Sequence, residues 1–174
     1  MFVLKVIGCI LILCASTTAG FLYSDNFRKR VSQLNELQRC LHQLRNEILY
    51  TYTPLTESFL NVSIKSKYPI RYIFESASNS LTTNKANNVY EAMKVAIDSN
   101  INDFNIKKED IDILLDLSKS LGESDIEGQK SVFNLTIDNF KKQISEADEI
   151  MKKNVKLFRY LGFTMGAMLV ILIV

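Results

Sequence analysis

The chain has 174 residues, of which 47% are hydrophobic and 23% charged, and its formal net charge is +2. A balance of 21 basic to 19 acidic residues points to neither nucleic acid nor an acidic substrate. One histidine and three cysteines, two of them close to the amino terminus, exclude a disulfide framework and the usual metal-ligand spacings.

The first element is apolar. Phe2 to Tyr23 carries one charge, Lys5, and roughly 20 apolar residues in a helix cross a hydrocarbon core of about 30 Å. Residues 2–23 are therefore read as a transmembrane helix. The same residues admit a second reading, a cleaved signal peptide. Lys5 supplies its basic start, Val6 to Leu13 its apolar core, and Thr17-Thr18-Ala19 its small residues. A lipoprotein variant fits less well, because Leu13 stands before Cys14 where a small residue belongs.

Residues 25–158 follow as one domain with a core of its own. With two prolines and six glycines in the whole chain, an all-α body of about six helices is expected. Leu34, Leu37, Leu41, Leu44 and Ile48 alternate by three and four, a heptad seam on a helix from about Asp25 to Tyr52. Thr53-Pro54 reads as a cap and first position of a second helix through Leu55, Phe59 and Val62. Tyr68-Pro69 closes it and opens a third near Ile70 to Ser80. Val89, Met93, Ala96 and Ile97 face inward on a fourth, ending about Asn100. Asn105 or a neighbour starts a fifth, with Ile111, Leu114, Leu115, Leu117 and Leu121 on its inner side.

The sixth start is the clearest. Gly122 ends the fifth helix in a left-handed turn, and Ser124-Asp125-Ile126-Glu127 fits a capping box with Ser124 as cap. Phe133, Phe140 and Ala147 repeat by sevens, as do Ile137, Ile144, Met151 and Phe158. One helix then runs from Asp125 into a last apolar segment, residues 159–174, read as a second transmembrane helix. Arg159 can snorkel from it to the headgroups, and Gly162 and Gly166 have the spacing that lets membrane helices approach closely. The expected fold is an antiparallel helical bundle flanked by two transmembrane helices, its first and last long helices paired. A plainer alternative makes each seam the core stripe of a globular bundle.

Charge orients the membrane reading. Arg28, Lys29 and Arg30 follow the first span, and Lys152, Lys153, Lys156 and Arg159 precede the second. The far side offers only Lys5 and the α-amino group. Positive residues favour the cytoplasmic side, so the middle domain is expected there, with both ends across the membrane.

Nothing in the sequence assembles an active site. His42 lies off the seam, and there is no phosphate loop, nucleophile elbow or paired metal ligand. No cofactor is expected. The acidic runs Glu109, Asp110, Asp112, Asp116 and Glu123, Asp125, Glu127 read as solvated faces or helix-start charges.

Gln33-Leu34, Leu44-Arg45-Asn46-Glu47-Ile48-Leu49-Tyr50 and Thr53-Pro54-Leu55-Thr56-Glu57 form one distinctive block. Leu121-Gly122-Glu123-Ser124-Asp125 with Gln129, then Ala147, Lys153-Asn154 and Tyr160-Leu161-Gly162, form another. Together they resemble the stage III sporulation protein AB family of endospore-forming bacteria. The resemblance spans the chain and is least diagnostic over about 62–105. It departs at Arg45-Asn46, where a more acidic pair is expected.

The resemblance implies a component of the channel apparatus between mother cell and forespore, in the mother-cell membrane around the forespore. It also implies a body similar to the cytoplasmic domain of F-type platform proteins of type II secretion and type IV pili. By that analogy the partner is a sporulation ATPase, stage III sporulation protein AA. Gly122, Asp125, Gln129, Glu47 and Glu57 are the candidate partner-binding residues. The competing expectation is a secreted or surface-anchored helical binding module with its first segment removed.

Overall fold

The computed structural model describes the backbone of residues 2–121 and 125–173. Side chains are described throughout except at 2–7, 9, 10, 12, 13, 19, 20, 159, 162, 163, 169, 172 and 173. The protein is all-α. Among the described residues there are seven helices: α1 (Phe2–Leu49), α2 (Leu55–Ile64), α3 (Ile70–Thr82), α4 (Val89–Asp98), a 3₁₀ turn (Ile101–Asp103), α5 (Lys108–Ser120) and α6 (Ile126–Ile173). The chain divides into two compact units. A central unit comprises Ser32–Ser145, and a terminal unit comprises Met1–Val31 with Glu146–Val174.

The central core follows the seams. Leu34, Leu37, Leu41 and Leu44 of α1 are buried, and Cys40 joins them. The seam then drifts, because 3.6 residues per turn do not match a repeat of seven. Leu49 is buried at the end of α1, while the predicted Ile48 is only half-buried. On α6, Phe133, Ile137 and Phe140 are buried. The short helices pack in sequence, α2 on α3, α3 on α4 and α4 on α5. Phe59 and Phe74, with ring centroids 6.1 Å apart, seal the first of these contacts.

Several boundaries differ from expectation for identifiable reasons. The first helix is unbroken from Phe2 and stops at Leu49, before Tyr52. The amides of Tyr50 and Thr51 both return to the Asn46 carbonyl, and Tyr52 then takes a left-handed φ of 55°. The Thr53 hydroxyl does not cap α2. It donates to the Glu47 carboxylate at 3.1 Å, and Pro54 itself occupies the cap. Tyr68-Pro69, which opens α3, is a cis peptide. The fifth helix starts only at Lys108, because Gln33 ties the backbone of Asp103 and Asn105 to α1, as described below. On α6 the cap is Asp125: its carboxylate accepts the Gly128 amide at 2.9 Å, and the helix begins at Ile126. The cap assigned to Ser124 and the turn at Gly122 lie outside the described residues.

A cap not foreseen starts α4. The Asn88 side chain accepts the Glu91 amide at 2.8 Å, and the Glu91 carboxylate returns to the Asn87 amide at 2.8 Å. Asn88→Ala is expected to cost about 0.5–2 kcal/mol, measured by urea unfolding of the purified protein. Wild-type stability would show that the helix start does not depend on this cap.

In the terminal unit, Tyr23 and Phe27 of α1 meet Phe158 of α6, at ring-centroid distances of 4.5 Å and 6.1 Å. Among the described residues no helix is long and apolar enough to cross a membrane. The side chains outside the description all fall within 2–23 and 159–174.

Candidate functional site

Helix α1 holds the loops of the central unit through polar groups set beside its apolar seam. Gln33 takes one side: its oxygen accepts the Asn105 amide at 2.7 Å, and its nitrogen donates to the Asp103 carbonyl at 3.4 Å. One turn on, Glu36 accepts Arg39 Nη2 at 2.6 Å and the Lys67 amide at 2.9 Å. Arg39 reaches on to the Lys65 carbonyl at 2.8 Å, and the Cys40 thiol lies 3.0 Å from the Ser66 hydroxyl. The α2–α3 turn is thus fastened to α1 at several points.

The electrostatics follow from these partners. The Arg39 hydrogen bond holds the Glu36 carboxyl below its ordinary value, against the opposing effect of burial. Burial pushes the Cys40 thiol up to about 11, so it is an inert core group. Partial desolvation, helped by Arg45, lowers the exposed His42 imidazole.

Because the folded-state pKa of Glu36 is depressed, its stabilisation is full above the unfolded value. It is lost as pH falls through the folded value. The wild-type chain should therefore lose stability on acidification below about pH 4.3 more steeply than Glu36→Gln. Urea melts at stepped pH measure this, and parallel pH profiles would rule the Glu36 contribution out.

Four of the five candidate partner-binding residues are described, and they fall at three elements. Glu47, at the end of α1, is half-buried and accepts the Thr53 hydroxyl at 3.1 Å and the Asn61 amide nitrogen at 3.5 Å. It shapes the α1–α2 corner. Glu57 is exposed in the first turn of α2, where its charge suits the helix dipole. Asp125 serves as the α6 cap. Gln129 is half-buried one turn later, its amide donating to the Asp125 carbonyl at 2.9 Å. Gly122 lies outside the described residues.

Arg45 links two of these elements, its Nη1 donating to the Asn134 side chain at 3.1 Å. The last turns of α1 thereby meet the third turn of α6. Its Nε is buried without a hydrogen-bond partner among the described residues. The same corner displays Tyr50 and Tyr52, 66% and 72% exposed. Sequence reasoning missed this aromatic pair, although a Tyr-x-Tyr just before Thr-Pro is a visible signal. The clamps at Gln33 and Glu36 carried none, since polar residues next to a seam usually face water.

The flanking bases belong to the terminal unit. Arg28, Lys29, Lys152, Lys153 and Lys156 are exposed, whereas Arg30 is buried and engaged within the protein. The Arg159 side chain lies outside the description.

Surface grooves of the central unit include one of about 540 Å³ beside Asn88, Tyr90, Ser118 and Lys119. Another, of about 410 Å³, lies over Glu36, Arg39 and Tyr68. In the first, Lys119 sits 5.4 Å from the Tyr90 ring centre and pairs with Asp116 at 2.8 Å, while the Ser118 hydroxyl donates to the Leu115 carbonyl. The second is lined by the clamp described above. Neither brings a nucleophile to a base. Among the described residues no cluster of His, Cys, Asp and Glu could hold a metal ion.

Comparison with known proteins covers nearly the whole chain. The sequence model of the family described as stage III sporulation protein AB (spore_III_AB) matches residues 5–174. Stage III sporulation protein AB of Bacillus subtilis (strain 168) is 26% identical over 173 residues, covering 98% of this chain and 99% of that protein. A solved structure of stage III sporulation protein AB (SpoIIIAB) superposes with a TM-score of 0.66 at 20% identity, covering 71% of this chain and 97% of that one. At that identity the superposition speaks for the fold.

Proposed function

The chain belongs to the stage III sporulation protein AB family and is a sporulation protein, and from that premise we propose that it works as a non-enzymatic membrane scaffold. In this reading residues 2–23 and 159–174 anchor it, and the bundle between them lies in the cytoplasm of the mother cell. There it couples a sporulation ATPase, stage III sporulation protein AA, to a secretion-like channel assembly. The first and last helices form its antiparallel frame.

The observation that carries the reading is the disposition of the polar residues. Gln33, Glu36, Arg39 and Glu47 of α1 are spent on internal clamps, and seven bases stand beside the two apolar ends. What remains on offer is surface for a partner, in keeping with the analogy to platform proteins that the family resemblance implies.

Two experiments test it. Affinity capture of the chain from sporulating cells should recover the ATPase, and its consistent absence would refute the coupling role. Topology is read from a cysteine at Lys85, in a chain whose Cys9 and Cys14 are replaced by alanine. An impermeant thiol reagent should leave intact protoplasts unlabelled and label lysed ones. Labelling of intact protoplasts would favour the surface-anchored binding module instead.

A further inference from the structure

We propose that Arg28, Lys153 and Lys156 form a collar that binds the headgroups of anionic phospholipids. The proposal rests on the two-span reading above. The Tyr23, Phe27 and Phe158 rings meet, so residues 23–27 of α1 and residue 158 of α6 share one level along the helices. At about 1.5 Å per residue, Lys156 lies about 3 Å and Lys153 about 7.5 Å from Phe158 along the axis. Arg28 follows directly after Phe27. Tyr23 and Tyr160, 56% and 73% exposed, flank the same level, and such amphipathic rings favour the headgroup zone. Aromatic and cationic groups thus occupy adjacent bands on both helices of one unit, the arrangement a planar anionic surface recognises.

The flanking bases are not equivalent, and this is what the sequence alone conceals. Lys29 pairs with Asp25 at 3.2 Å and Lys152 pairs with Asp148, so each carries its counter-charge within the protein. Arg28, Lys153 and Lys156 are exposed, and no carboxylate among the described residues stands within ion-pair distance of them. No acidic residue occurs between Asp25 and Glu36, nor after Glu149. Lys153 and Lys156 are three residues apart, about 60° around the helix, so their heads can share one phosphate-rich patch. Each uncompensated base near an anionic leaflet adds attraction that falls off within a Debye length. The collar therefore selects for anionic headgroups, whereas the paired lysines contribute little.

The full chain, extracted in mild detergent, is mixed with equal amounts of phosphatidylglycerol and phosphatidylcholine of the same acyl chains. Retained lipid is counted by native mass spectrometry. The expected result is a preference for phosphatidylglycerol of about tenfold or more. It should be lost in Arg28→Gln/Lys153→Gln/Lys156→Gln, kept in Lys29→Gln/Lys152→Gln, and not displaced by excess glycerol phosphate. Thermal melts establish that both variants are folded. Absence of preference in the wild type, or equal loss in the two variants, overturns the collar. Alkaline carbonate separates the premises. A chain released from membranes refutes the spans and the collar together, while a chain that stays in the membrane without lipid preference refutes the collar alone.

Discussion

Phe140→Ala destabilises the protein by about 3–5 kcal/mol, the cost of removing a buried aromatic ring and leaving its cavity. Phe140 is wholly buried on α6, in register with Phe133, also wholly buried. Leu41→Ala, on the α1 seam, should cost about 2–5 kcal/mol. The control is Leu135, five residues before Phe140 on the same helix and 62% exposed. Leu135→Ala should change stability by no more than about 0.5 kcal/mol. Urea unfolding of the three variants compares them under one condition. If Phe140→Ala unfolds with the wild type, the seam does not form the core. If Leu135→Ala falls as far as Phe140→Ala, α6 is buried on more sides than the structure gives it.

The seams made the fold legible because burial follows helical periodicity, which residue types record directly. Leu34, Leu37, Leu41, Leu44, Phe133 and Phe140 could all be placed in the core from spacing alone, and each is buried. The inward face of α4 was legible for the same reason, and the start of α3 from the proline of Tyr68-Pro69. Caps were less so, since several neighbouring polar residues can each serve. Ser124 and Asp125 both fit the start of α6, and the choice depends on where the chain leaves the preceding turn. Gln33 and Glu36 were illegible for a deeper reason. Their partners, Asp103 and Asn105 for Gln33 and Lys67 for Glu36, are distant in sequence, and nothing local distinguishes a clamp from a solvated face. The candidate site suffers from the same ambiguity. An acidic residue such as Glu47 looks the same in sequence whether it holds a corner or meets a partner.

That ambiguity decides which substitution can test the proposed ATPase surface. Glu47 is a poor probe, because Glu47→Ala removes an acceptor used by Thr53 and Asn61 and should cost about 1–3 kcal/mol of stability. Any loss of binding would then be confounded with loss of fold. Gln129→Ala shares part of this problem, since Gln129 is half-buried beside the α6 cap. Tyr50 and Glu57 are cleaner: both are exposed, and both flank the corner that Glu47 holds in shape. A tyrosine presented on a rigid corner loses little entropy on binding and is a frequent interface anchor, where truncation costs about 2 kcal/mol or more. Tyr50→Ala/Glu57→Ala should therefore melt within about 1 kcal/mol of the wild type, most of it the lost helix-dipole charge. It should nevertheless reduce ATPase capture by about thirtyfold and lower spore formation accordingly. Gln129→Ala tests the other end of the linkage through Arg45 and Asn134. If both variants keep wild-type capture and sporulation, the α1–α2 corner and the α6 start are structural joints. The proposed ATPase contact then has no support at either place.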